Sequence, residues 1–270
     1  MVSMYKSACL LLALLALCAR PGLAGTPAAP IVVGFYDFPP SVYTDADGYP
    51  QGPLVDLTRK VFRQAGHPVA LRSLPSARIY AGLQDGSVQV WLGSPKPQLA
   101  EHLLAGSTLL AELTLNLYYR DDTPPPRVPV DLVGRSLVTI IGYSYFPGIS
   151  HHLDDPRLGI VQHRTRTHTA ALEMLLRQRG DYLLDYSLAT ETAAAELGVP
   201  VPAHVELQRL PMNFLVSRHQ PHPERLLADL ERAYGELLAA GEDLSLPGDL
   251  NYRRGLARDV GSATSGSSGQ

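Results

Sequence analysis

Residues 31 to 66 read IVVGFYDFPPSVYTDADGYPQGPLVDLTRKVFRQAG, and the two ends of this stretch carry different periods. Ile31 to Phe35 is a short unbroken apolar run rich in branched side chains, the mark of a strand buried on both faces. Leu54, Leu57, Val61, Phe62 and Ala65 then recur at helical spacing and stop at Gly66. Val69 to Leu71 predicts a second strand, Ser76 to Leu83 a helix capped by Ser76 and ended by Asp85-Gly86, and Val88 to Leu92 a third strand. Strands alternating with helices predict a mostly parallel sheet with helices on its faces.

The same rhythm restarts downstream. Ser136 to Ile141 reads as a strand, a short helix follows Tyr145, and Ile160-Val161 is a strand. Thr169 to Arg179 reads as a helix and Tyr182 to Asp185 as a strand. Two separate runs of strand, helix and strand imply two lobes. Between them lie the apolar stretch Leu109 to Tyr119, a crossing strand, and Asp121 to Pro129, where four prolines forbid regular pairing. Leu226, Leu227, Leu230, Ala233, Tyr234, Leu237 and Leu238 mark an amphipathic helix near the end.

The first residues read as an address. Lys6 precedes an apolar run from Ala8 to Ala19 that is too short to span a bilayer, and Gly22-Leu23-Ala24 supplies small residues for cleavage after Ala24. Residues 1–24 are therefore expected to be a signal peptide. Leu17 before Cys18 is too large for a lipid-anchor signal. Cys9 and Cys18 are the chain's two cysteines and both fall in the removed segment, so a disulfide, a thiolate nucleophile and a thiolate-bound metal are excluded from the mature chain. Loss of Lys6 and Arg20 takes the formal charge from −3 to −5, and no basic run remains to suit nucleic acid. Residues 256–270, mostly Gly, Ser, Ala and Thr toward the end, are expected to be a disordered tail.

An ordered set of motifs resembles the family 3 extracellular solute-binding proteins. Ile31-Val32-Val33-Gly34, Phe38-Pro39-Pro40, Asp45-Ala46-Asp47-Gly48 and Gly52-Pro53-Leu54-Val55-Asp56-Leu57 are similar to that family's first strand, ligand loop and first helix. Ala81 to Gly86, Asp131 to Val138 and Ala171 to Asp185 resemble later segments in the same order. The resemblance implies an α/β two-lobe type II periplasmic binding fold with a hinge and an interlobe cleft. Lobe one would be residues 31–112 and 206–255, and lobe two residues 113–205. It implies a periplasmic, monomeric receptor without cofactor that takes an amino acid, amine or small organic acid, with an ABC-type permease or a membrane sensor as partner.

The resemblance also places ligand-binding residues. Phe38 matches an aromatic rest for the ligand, with Tyr36 close by; Asp185, at a strand end, matches an acid that accepts from a ligand ammonium. Asp185→Ala is then expected to remove binding and leave the fold intact. Tyr143, Ser144 and Tyr145 occupy a loop that contacts ligand oxygens, the tyrosines offering planar faces. The arginine that pairs the ligand carboxylate in amino acid receptors is missing from Gly93 to Glu101, which leaves Ser94 and puts Arg78 or Lys96 forward as the positive charge; Trp91 lies near the same cleft. Two other functions are weighed. A dehydratase on the same fold needs a glutamate near Asp185, where the sequence has Tyr186, Ser187, Leu188 and Ala189; a metal receptor would use His151, His152, His163 and His168.

Overall fold

The computed structural model describes residues 29–143 and 145–247. The expected signal peptide, the expected tail, residues 248–255 and Ser144 lie outside the described residues. The chain opens on β1 (Ile31–Phe35), passes a two-stranded hairpin of β2 (Tyr43–Thr44) and β3 (Pro50–Gln51), and enters α1 (Pro53–Ala65). α1 begins with proline at its first turn and ends on Gly66 in the left-handed conformation, as the sequence predicts. Its apolar stripe buries Leu54, Val55, Leu57, Val61 and Phe62, and full burial of Phe62 alone contributes roughly 2–3 kcal/mol. β4 (Val69–Ser73), α2 (Ser76–Asp85) and β5 (Val90–Gly93) follow, and β1 pairs in parallel with both strands.

β6 (Leu103–Ala105) and β7 (Ala111–Tyr118) lead out of this unit, and β7 is the crossing strand expected from Leu109 to Tyr119. The second unit is β8 (Ser136–Ile140), α3 (Pro147–Leu153), β9 (Val161–Thr165), α4 (His168–Leu176), β10 (Tyr182–Tyr186) and α5 (Ser187–Leu197). β8 pairs in parallel with β9 and β10. β11 (His204–Ser217) then returns antiparallel to β7 and continues beside β5, and α6 (Pro223–Ala239) closes the described chain against α1. The strand order is β4-β1-β5-β11-β7-β10-β8-β9, with β6 also on β11.

This order is that of two α/β lobes stitched by one antiparallel pair. β11 is long enough to serve both: His204 to Met212 pair with β7, and Asn213 to Val216 pair with β5. A register shift between Glu206 and Gln208 marks a bulge on the stretch nearest the second unit.

The start of β7 is tied to α6 by Glu231, whose Oε1 accepts from the Thr108 amide at 2.7 Å and the Ser107 hydroxyl at 3.1 Å. Partial burial raises the Glu231 pKa, and the donors from Thr108 and Ser107 outweigh it, holding the carboxyl below its ordinary range. Glu231→Gln is expected to cost about 1 kcal/mol at neutral pH in urea unfolding, solvent screening included. A lowered folded pKa makes this contribution complete above the unfolded value of about 4.3 and removes it as pH falls through the folded one. The gap between the two proteins should therefore close in acid.

Candidate functional site

β9 and β10 both run parallel to β8, so their C-terminal ends lie on one edge of the second lobe. His168 is the first residue of α4, just past β9, and Asp185 is near the end of β10; the topology brings them together. His168 Nδ1 lies 2.7 Å from Asp185 Oδ2, and Asp185 Oδ1 accepts from the Tyr186 amide at 2.8 Å. Asp185 is 0% exposed and His168 8%. Burial pushes the Asp185 carboxyl above the usual carboxylate range, against the pull of the His168 ring and the Tyr186 amide.

The chain of polar contacts continues across the molecule. His168 Nε2 is 2.9 Å from the Tyr143 hydroxyl, which donates to the Asp37 carbonyl of the first lobe at 3.3 Å. A second bridge runs from the Ser76 hydroxyl to the Gly142 carbonyl at 2.8 Å. The sequence predicts Ser76 as a helix cap; the cap position is Pro75, without a side-chain bond, and the Ser76 hydroxyl is used between lobes instead.

Aromatic rings fill the space behind this chain. Phe38 stacks on Tyr143 with centroids 5.7 Å apart and meets Tyr186 edge-on at 5.4 Å and His168 at 6.2 Å. Tyr36 contacts Tyr143 and Trp91. Burial, reinforced by neighbouring phenols and, for Tyr143 and Tyr186, by Asp185, holds the hydroxyls of Tyr36, Tyr143 and Tyr186 well above the ordinary tyrosine value. They remain protonated donors.

Tyr36 and this ring cluster stand between two spaces. The outer one is a cavity of about 710 Å³ walled on one side by Tyr36, Asp37 and Leu74 to Ser76, and on the other by Ile140 to Tyr143, Arg166 to Thr169 and α5. That volume lies inside the usual range for organic ligands, roughly 300–1,000 Å³. The inner one, among Phe38, Trp91, Ser94, Lys96, Leu113 and Met212, holds about 40 Å³, room for little more than water.

The expected site residues therefore distribute as follows. Tyr36 lines both spaces, Tyr143 the outer, and Phe38, Trp91 and Ser94 the inner. Asp185 lies beneath the floor and reaches the cavity through His168. Tyr145 stands behind Tyr186, its hydroxyl accepting from the Ile140 amide and donating to the Leu184 carbonyl, and lines neither space. Arg78 is exposed on α2 and also lines neither. Lys96 is buried beside Ser94, and desolvation lowers its pKa. Ser144 lies outside the described residues. His168 as the partner of Asp185, and Ser76 as a bridge, escaped the sequence reading. The available signal was a buried strand-end acid that requires a donor, together with a histidine opening the helix that leads to it.

Among the described residues no three His, Cys, Asp or Glu side chains gather to hold a metal ion, so the histidines weighed for a metal receptor do not form a site there. Nor is any described helix long and apolar enough to cross a membrane.

No family model and no curated protein matches the sequence. Solved structures do. A histidine kinase sensor domain with similarity to periplasmic binding proteins aligns at TM-score 0.63 and 22% identity, covering 80% of this chain and 92% of that one. The arginine-, lysine-, histidine-binding protein ArtJ from Geobacillus stearothermophilus aligns at TM-score 0.61 and 18% identity over 79% of this chain and 91% of its own. An ancestral amino-acid-binding protein described as a precursor of cyclohexadienyl dehydratase aligns at TM-score 0.59 and 15% identity over 78% and 91%. At these identities the likeness establishes architecture: the chain has the two-lobe α/β fold of the periplasmic binding proteins.

Proposed function

We propose that this chain is a periplasmic solute-binding protein, exported through a cleavable signal peptide. It closes two lobes on a small polar solute and presents it to a membrane partner, an ABC-type permease or a sensor. Lobe one comprises residues 31–112 and 206–255, and lobe two residues 113–205, with β7 and β11 as the hinge. It acts as a monomer and without a cofactor. The observation that carries this reading is a cavity of about 710 Å³ whose opposite walls come from the two halves of the chain, with polar bridges reaching across. Ligand can stabilise such an arrangement by favouring the closed state. Two solved structures of similar fold are described as a sensor domain and an amino-acid-binding protein, which agrees with this reading.

The chain has one tryptophan, Trp91, 6.4 Å from Tyr36 by ring centroids, which makes its emission a reporter of closure. Titrating the purified protein with amino acids, amines and small organic acids should change that emission for a true ligand and raise the melting temperature. At about 100 times Kd the gain is about 2.7 kcal/mol, several degrees for a protein of this size. If no solute of these classes moves either signal, the proposal fails.

A further inference from the structure

We infer that the cleft recognises its solute through an anionic acceptor group, a carboxylate, bonded by His168 and Tyr143, and does not use Asp185 to hold an ammonium. The inference rests on the solute-binding reading and narrows it. Asp185 is closed off on both sides: one oxygen faces His168 Nδ1 at 2.7 Å, the other accepts from the Tyr186 amide, and none of the residue is exposed. An incoming ammonium would have to displace the imidazole to reach it.

What the cleft presents in its place is a donor. Tyr143 has one hydroxyl hydrogen and spends it on the Asp37 carbonyl. With the hydroxyl hydrogen placed there, its oxygen, 2.9 Å from His168 Nε2, accepts from the Nε2–H tautomer of the ring. The ring N–H and the Tyr143 O–H are thus two donors at the seam between the lobes, each bonded to a protein acceptor that a solute can replace. A solute carboxylate inserted there accepts both and takes over the link that Tyr143 makes to Asp37.

The charged side chains around the cavity all stand at its exposed rim. Arg166 is one of them. The acids that also line it are exposed and already engaged with hydroxyls: Asp37 accepts from Thr44 and Ser73, and Glu196 from Thr169 at 2.6 Å. A water-screened rim charge of either sign contributes little, which leaves recognition to the buried His168 and the Tyr143 hydroxyl beside it.

The test uses matched sets: an amino acid, the amine left when its carboxyl is removed, and the acid left when its amino group is removed. Arginine, agmatine and guanidinovalerate form one; tyrosine, tyramine and phloretate another; leucine, isoamylamine and isocaproate a third. Each is titrated into the whole protein by calorimetry and thermal unfolding. In the set whose side chain fits, the deaminated acid is expected to stay within about tenfold of the amino acid while the amine loses about 10–100-fold. His168→Ala should remove the acid's advantage. If that variant does not fold, His168→Gln, which keeps a side-chain N–H, replaces it and should retain part of the advantage. Equal or better binding by the amine overturns the inference and leaves solute capture standing; no response from any member of any set counts against solute capture itself.

Discussion

Replacing Asp185 by alanine is expected to cost about 3–5 kcal/mol of stability and to abolish solute-induced closure. The carboxylate is completely buried and pairs with a histidine that is itself nearly so. Its removal leaves the His168 ring facing a void and the Tyr186 amide without its acceptor, and an orphaned buried donor costs far more than the pair's net contribution. The sequence suggests that this substitution would spare the fold; 0% exposure makes that expectation untenable. Asp185→Asn separates shape from charge. Its amide oxygen can still accept from Tyr186 and its NH₂ can donate to His168 Nδ1, so the loss should fall to about 1–2 kcal/mol with the Nε2 hydrogen retained.

The sign of the pH dependence follows from the direction of the Asp185 shift. Its folded pKa is raised, so above roughly pH 4 the folded protein holds more protons than the unfolded chain, and this site's contribution to stability declines as pH rises. Asp185→Asn should flatten that slope in urea unfolding measured from pH 4 upward. An unchanged slope would show that the carboxyl is ionised as readily inside as outside.

Much of the scaffold was legible because its information is local. The apolar run at Ile31 to Phe35, the helical stripe from Leu54 to Ala65 and the crossing strand before the prolines each announce themselves over a few residues. α5 did not, because its buried face is built from Ala189, Ala193 and Ala194, which give a weak apolar stripe. β11 was hidden by Pro211, a residue that argues against a central strand; it is tolerated where β11 is paired with β7 but its pairing with β5 begins only at Asn213. In the site, Phe38 and Asp185 are put forward by the family resemblance, Asp185 also by its place near a strand end. That Asp185 is spent on His168 could not be read in this way, since seventeen residues and a helix separate them in the chain and only the order β9-β8-β10 sets them side by side. Trp91 and Met212 line the inner space beside Ser94 and Lys96, which belong to the segment that lacks the arginine.

Gly52→Ala is expected to cost on the order of 3 kcal/mol and to weaken solute binding, although residue 52 lines neither cavity. Gly52 has φ +107°, a conformation that other residues adopt only under strain, and a Cβ there would lie 2.5 Å from the Ser41 carbonyl oxygen and 3.1 Å from that of Pro40. Neither atom can yield cheaply. The Ser41 carbonyl accepts from the Leu54 amide and so locks the Phe38 turn onto the start of α1, while Phe38 and Val42 close that turn with reciprocal backbone bonds. Displacing it moves the ring that stacks on Tyr143 and meets Tyr186 edge-on, and the disturbance reaches the cleft. Gly48→Ala is the control: its φ is +86°, but nothing lies within 4 Å of the added carbon, so only backbone strain of about 1 kcal/mol is expected. The difference between the two melting transitions reports the collision together with the extra strain of Gly52, whose φ of 107° and ψ of 162° define a conformation almost confined to glycine. Equal losses would mean that the turn gives way freely and that Phe38 is not held by it.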